Sequence, residues 1–140
     1  GAAGHETWTI TAQLNGDFTQ AKAYEETRAY LQGNPVPDVV YCENDNMCFG
    51  VMQALDERGI AYGTGGVTLI TFDAVRTALS YCRDGKIGLC AECNPLHGPR
   101  VRAIIEQLER GETPEKQSYV PEQLFTAGQI TDELLESRVY

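Results

Sequence analysis

Two kinds of apolar pattern alternate along this chain of 140 residues, and the alternation limits the folds that it can adopt. Short continuous apolar runs, typical of strands that are buried on both faces, occur at residues 38–42 and 67–72. Each run is followed by apolar residues three and four positions apart, at residues 46–58 and from Val75 onward, which predicts an amphipathic helix. Strands and helices in this order specify a parallel sheet with right-handed crossovers.

The same pattern extends toward the amino terminus. Residues 8–14 read as a strand, and Asp17 with Gln20 three positions later resembles a capping box. This pair predicts a helix that runs to about Leu31, before the sequence Gly-Asn-Pro ends it.

Toward the carboxyl terminus, residues 86–93 predict another strand and residues 97–111 another helix. Four apolar residues form a stripe on this helix: Val101, Ile104, Ile105 and Leu108. The tail from Thr113 is less regular and predicts a short strand near 117–120, an extended segment, and a helix over about 127–136. The predicted fold class is therefore α/β, a Rossmann-like three-layer parallel sheet with helices on both faces.

The charge of the chain argues against a nucleic-acid partner. Twenty acidic residues against eleven basic ones give a net charge of -9, and no basic cluster occurs, so a phosphate backbone would be repelled. The sequence has no run of about 18 apolar residues, and its first residues lack a charged and then apolar leader. We expect neither a membrane span nor a signal peptide in these residues.

Polar side chains collect where the predicted strands end, at one edge of a parallel sheet: Glu43, Asn44, Asp45, Asp73, Glu92, Cys93 and Asn94. Carboxylates accept hydrogen bonds from hydroxyl groups, and carboxamides both donate and accept them. The edge is therefore suited to a neutral polyol such as a sugar. The alternative is that Asp45 and Asp73 cap the helices that follow them.

Several chemistries are not indicated. The Gly-rich residues 63–66 precede a strand and lack a following Lys-Ser or Lys-Thr pair, so they do not predict a phosphate site. Cys90 and Cys93 lie in a predicted strand and point to opposite faces, unlike a redox pair at a helix start, and no second ligand pair makes a zinc knuckle. We expect no enzyme activity, cofactor or metal, and cysteines that act as small buried apolar residues.

The strings "VVYCENDNMCFGVMQAL", "LITFDAV", "DGKIG" and "CAECNPLHGP", taken in order, resemble periplasmic sugar-binding proteins of ABC transporters, in the ribose-binding type and most closely its galactofuranose-binding members. The resemblance implies the C-terminal lobe of a type I periplasmic binding protein. Residues 7–93 would form part of that lobe. Residues 94–112 would be a hinge and a helix of the other lobe, and residues 113–140 would return as a strand and a C-terminal helix.

The same resemblance implies roles for individual residues. Asn44 and Asp73 match sugar-contacting positions of the family. Cys93 lies where the ribose binder has a glutamine that reaches the sugar, which leaves its own contact open. Asn94 and Pro95 would be the hinge between the lobes.

By this resemblance the chain would be a C-terminal fragment of a solute-binding component. It would bind a monosaccharide such as galactofuranose or ribose between two lobes and deliver it to a membrane permease. The location would be periplasmic or extracellular, with a lipoprotein anchor in a Gram-positive organism. Without the N-terminal lobe, the stripe of helix 97–111 would be uncovered, so we expect self-association through it, with exchange at the hinge as one route.

Two other classes remain open at this point. The first is the effector-binding domain of a transcription regulator that resembles the lactose repressor, which shares the fold. The second is a cysteine-dependent oxidoreductase that uses Cys90 and Cys93.

Overall fold

The apolar runs of the sequence form the strands of one sheet in a computed structural model, which describes residues 7–140. The elements in chain order are α1 (Gln20–Tyr30), β1 (Val39–Tyr41), α2 (Asp45–Glu57), β2 (Thr68–Asp73), α3 (Arg76–Arg83), β3 (Leu89–Glu92), α4 (Gly98–Glu109), β4 (Leu124–Phe125), a 3-10 turn (Ala127–Gln129) and α5 (Asp132–Ser137). The α/β class is thereby confirmed.

The four strands lie in the order β1-β2-β3-β4. The first three are parallel, with Val40 opposite Leu69 and Thr71 opposite Cys90, whereas β4 is antiparallel to β3. Because successive parallel strands are neighbours and their crossovers are right-handed, α2 and α3 lie on the same face of the sheet.

The core fills the space between that face and the two helices. Leu69, Thr71 and Cys90 point into it and have no exposed surface. The helices contribute the apolar stripes that the sequence predicted: Cys48, Val51, Met52 and Leu55 from α2, and Ala78, Leu79 and Cys82 from α3. These stripes fix the position of each helix start above the carboxyl ends of the strands.

The second face of the sheet is not covered by a helix within the described residues. Tyr41 is 59% exposed and Leu124 is 60% exposed, while Ile70 and Phe72 between them are half-buried. Helices were predicted on both faces of the sheet, and the described residues place them on one face. The physical reason is that both described crossovers run in the same direction along the sheet.

Two predicted strands are wrong. Residues 8–14 are exposed and form no strand, and residues 117–120 form none either. A strand is stable only when a neighbour pairs its backbone, and β1 is the edge of the sheet in the described part of the chain.

The helix ends differ from the prediction in two places. Thr19, not Asp17, caps α1, because its side-chain oxygen accepts a hydrogen bond from the Lys22 amide at 3.3 Å. The predicted helix over 127–136 is divided into the 3-10 turn and α5, since Thr131 caps a new helix by accepting from the Leu134 amide. The helix predicted over 97–111 is present as α4.

Among residues 7–140, no helix combines the length and the apolar character needed to cross a bilayer.

Candidate functional site

The candidate site lies at the carboxyl edge of the parallel strands, where the sequence predicted it. Asn44 caps α2 just beyond β1, Asp73 ends β2, and Cys93 follows β3. The backbone N–H of Cys93 donates to the carbonyl oxygen of Asp73 at 3.3 Å, so the structure brings the ends of β2 and β3 together.

Asn44 is the N-cap of α2. Its Oδ1 accepts from the amide of Met47 at 2.8 Å, and its Nδ2 donates to the carbonyl oxygen of Phe18 at 3.2 Å. Both ends of the carboxamide are therefore held, and the half-buried side chain keeps one N–H and one oxygen lone pair for another partner.

Asp45, the first residue of α2, is 1% exposed. Its Oδ1 accepts from the Thr71 hydroxyl at 2.8 Å, and its Oδ2 accepts from the Val75 amide at 2.8 Å. Burial raises the pKa of Asp45 to about 6, although these hydrogen bonds oppose the shift. The interpretation of Asp45 as a helix cap is wrong, because Asn44 caps α2 and the Asp45 carboxylate reaches the loop after β2.

Asp73 is half-buried and has a φ of 100°, and Ala74 after it has a φ of 59°. Both values lie in the left-handed region, which costs energy for residues with a side chain. Burial raises the pKa of Asp73, and a hydrogen bond from the Asp45 backbone N–H opposes this. Asp73 does not cap α3, whose N-cap is Val75 without a side-chain hydrogen bond.

Cys90 and Cys93 lie in different environments. Cys93 is exposed, whereas Cys90 is buried and its thiol donates to the carbonyl oxygen of Ala78 at 3.6 Å. All five cysteines are free thiols, and the described residues contain no cluster of three or more metal-ligating side chains.

A buried ion pair beside the site was not predicted. Arg138 Nη1 lies 2.5 Å from Glu92 Oε1, and both side chains are less than a tenth exposed, at 7% and 8%. The Tyr140 hydroxyl donates to the same Glu92 oxygen at 2.7 Å, and the Arg138 guanidinium lies over the rings of Phe125 and Tyr140. No sequence pattern indicates this cluster, because its members come from distant segments.

Glu92 also joins the segment that follows β3 to the segment that precedes β4. Its amide donates to the Gln123 carbonyl oxygen at 2.9 Å, and its Oε2 accepts from the Gln123 amide at 3.1 Å. The Asn94 amide donates to Glu122 Oε1 at 3.1 Å. The chain that leaves after β3 and the chain that returns before β4 therefore run side by side.

Comparison with known proteins gives consistent matches. The family described as "Periplasmic binding protein domain" matches residues 2–92. The chain is 30% identical to the fructose import binding protein of Bifidobacterium longum (strain NCC 2705) over 98 residues, covering 70% of this chain and 29% of that protein. It is 28% identical to the galactofuranose-binding protein of Escherichia coli (strain K12) over 129 residues, covering 89% and 40% respectively.

A solved structure from Mycobacterium smegmatis, in complex with beta-D-fucofuranose, superposes with a TM-score of 0.80 at 30% identity. The match covers 86% of this chain and 40% of that one. The chain thus spans less than half the length of the relatives that it matches.

Proposed function

Because the chain belongs to the periplasmic binding protein domain family, we propose that it is one lobe of the sugar-binding component of an ABC transporter. The whole protein would bind a monosaccharide outside the cytoplasm and present it to a membrane permease. Its action would be closure of two lobes around the sugar, without a chemical step.

The observation that carries the proposal is the placement of Asn44 and Asp73. Both are half-buried at the carboxyl edge of adjacent strands, the edge where ligands bind in open α/β sheets. A carboxamide and a carboxylate together offer donors and acceptors to hydroxyl groups. Cys93, exposed and bonded through its backbone to Asp73, would line the same space.

The ligand class that we propose is a neutral monosaccharide in the furanose form. Asn44, Asp73 and Cys93 carry no positive charge that would favour a phosphorylated sugar over a neutral one. Two of the matched proteins have names that specify a furanose, galactofuranose and fucofuranose. We therefore include a furanose sugar among the ligands to test.

We further propose that residues 94–112 belong to a second lobe of the intact protein, with Asn94 and Pro95 at the hinge. In support, α4 has no buried residue, although Val101, Ile105 and Leu108 on it are apolar and about half exposed. Such a stripe is typical of a helix that packs on a sheet elsewhere. In this arrangement residues 7–93 form the sugar-binding lobe and residues 113–140 return to it.

The test is isothermal titration calorimetry of the full-length protein with galactofuranose, arabinose, ribose, fructose and allose. Asn44→Ser keeps a good N-cap but removes the carboxamide, and Asp73→Asn keeps the shape but removes the charge. Each is expected to weaken binding of the preferred sugar about tenfold or more.

Asn34→Ser and Asp84→Asn, both at exposed positions away from the edge, are the matched controls. They should bind as the wild type does. Binding to none of these sugars by the wild type would contradict the proposed ligand class, and unchanged binding by both site variants would contradict the proposed site.

A further inference from the structure

The turn after β2 has an unusual backbone conformation. Asp73 and Ala74 are consecutive residues with side chains, and both have positive φ angles, of 100° and 59°. A free chain would favour other conformations at both residues, since each left-handed residue other than glycine is strained. Contacts with other residues of the folded protein must therefore stabilise this turn.

Asp45 makes the contacts that hold it. One carboxylate oxygen accepts from the Val75 amide at 2.8 Å, directly after the strained pair, and the other accepts from the Thr71 hydroxyl at 2.8 Å, before it. The carboxylate thus holds the turn by one hydrogen bond on each side. Thr71 has no exposed surface and Asp45 is 1% exposed, so neither can touch a ligand that occupies the edge.

The same residue also connects the two candidate ligand groups. Asp45 follows Asn44 in the chain, and its backbone N–H lies close enough to the Asp73 carboxylate to oppose the rise in the pKa of Asp73. A change in the Asp45 side chain would therefore move the Asp73 carboxylate relative to Asn44.

We propose that Asp45 is a positioning residue of the sugar site, which keeps Asp73 and Ala74 in the left-handed conformation that aims the Asp73 carboxylate at the ligand. This inference rests on the proposed function, because it assigns a role within that site. Asp45 acts through the turn and does not contact the sugar.

The experiment compares Asp45→Ala, Asp45→Asn and the double variant Asp45→Ala with Ala74→Gly in the full-length protein, titrated with the preferred sugar. Asp45→Ala should weaken binding about 10- to 100-fold, because the turn loses both hydrogen bonds to a charged group. Asp45→Asn should recover most of this loss, since the amide oxygen can still accept from Val75 and the Thr71 hydroxyl can reverse its role. Asp84→Asn is the control for loss of an acidic residue.

Ala74→Gly in the Asp45→Ala background should restore part of the affinity, because glycine adopts a φ of 59° without strain. The nuclear magnetic resonance signal of the Val75 amide adds a measurement that needs no ligand. Its proton should shift upfield in Asp45→Ala and much less in Asp45→Asn.

If Asp45→Ala does not fold, Thr71→Val removes the hydroxyl at constant volume and should weaken sugar binding several-fold. Wild-type affinity in Asp45→Ala, or in Thr71→Val where that variant replaces it, would overturn this inference and leave the proposed function intact. An unmoved Val75 amide signal would also overturn it. Absence of sugar binding by the wild type would remove the proposed function and this inference with it.

Discussion

Asp45 is a buried ionisable residue, and the described residues place no Lys or Arg in an ion pair with it. Its pKa is raised from 3.8 to about 6, mainly by burial. Because the pKa is higher in the folded state than in the unfolded state, folding favours the protonated form. The contribution of this group to stability is therefore greatest below about pH 4 and falls as the pH rises through about 6.

Replacing Asp45 with Asn should remove this pH dependence. At pH 8 we expect Asp45→Asn to be more stable than the wild type, by up to about 3 kcal/mol, and the difference should vanish toward pH 4. Urea unfolding at a series of pH values measures it, with the exposed Asp84→Asn as the control. Parallel pH profiles for the wild type and Asp45→Asn would show that Asp45 does not titrate in this range.

The thiols differ sharply in their access to solvent. Cys93 is exposed, and the other four are buried. A hydrogen bond with Cys82, together with burial, raises the pKa of Cys90 and further lowers its reactivity. With Ellman's reagent we expect one fast equivalent in the folded 140-residue chain, lost in Cys93→Ser, and five after denaturation. Two fast equivalents would instead support a reactive Cys90 and Cys93 pair.

At the scale of elements, the spacing of apolar residues predicted the helices and strands that a local sequence pattern determines. The apolar stripes of α2, α3 and α4, and the apolar run of β2, identified these elements because each has enough residues to show its period. Residues 8–14 have the residue types of a strand, but no strand in the described part of the chain pairs with them, and pairing is not encoded locally. Of the candidate site, Asn44 and Asp73 were predicted from their position after strands, whereas the proposed role of Asp45 required the fold.

The C-terminal segment is anchored to β3 by the ion pair between Arg138 and Glu92, 46 residues apart. Removing one partner leaves a buried charge, so Arg138→Met should lower the free energy of unfolding by about 3–5 kcal/mol. The double variant Arg138→Met with Glu92→Gln should recover part of this loss. Chemical denaturation monitored by circular dichroism measures both.

The matched control is Arg102→Met. Arg102 Nε lies 2.7 Å from Glu106 Oε1, but its side chain is 82% exposed, so its removal should cost less than about 1 kcal/mol. Equal losses of unfolding free energy in Arg138→Met and Arg102→Met would mean that burial does not strengthen the ion pair between Arg138 and Glu92.

At the scale of the whole molecule, apolar surface is uncovered among residues 7–140 on the second face of the sheet, with Tyr41 and Leu124, and on the stripe of α4. These two surfaces lie on parts of the chain that we assign to different lobes. Further polypeptide would cover both in the intact protein under the proposed two-lobe arrangement, whereas an isolated chain of these residues presents them to solvent.

The isolated 140-residue chain should therefore self-associate through α4. Sedimentation velocity over a range of concentrations is expected to show growing oligomers, and Ile105→Glu with Leu108→Lys should shift the chain toward monomers. Glu109→Lys, at an exposed position beside the stripe, is the control. A strictly monomeric wild type at every concentration would contradict this prediction.

The exposed thiol of Cys93 has a practical consequence. Its backbone is bonded to Asp73 and it directly precedes the proposed hinge, while the other cysteines are buried. A solvent-sensitive fluorescent dye attached to this sulfur would lie where ligand occupancy and lobe movement both change its surroundings. The chain thus carries a natural attachment point for an optical sugar sensor, and no introduced cysteine is needed.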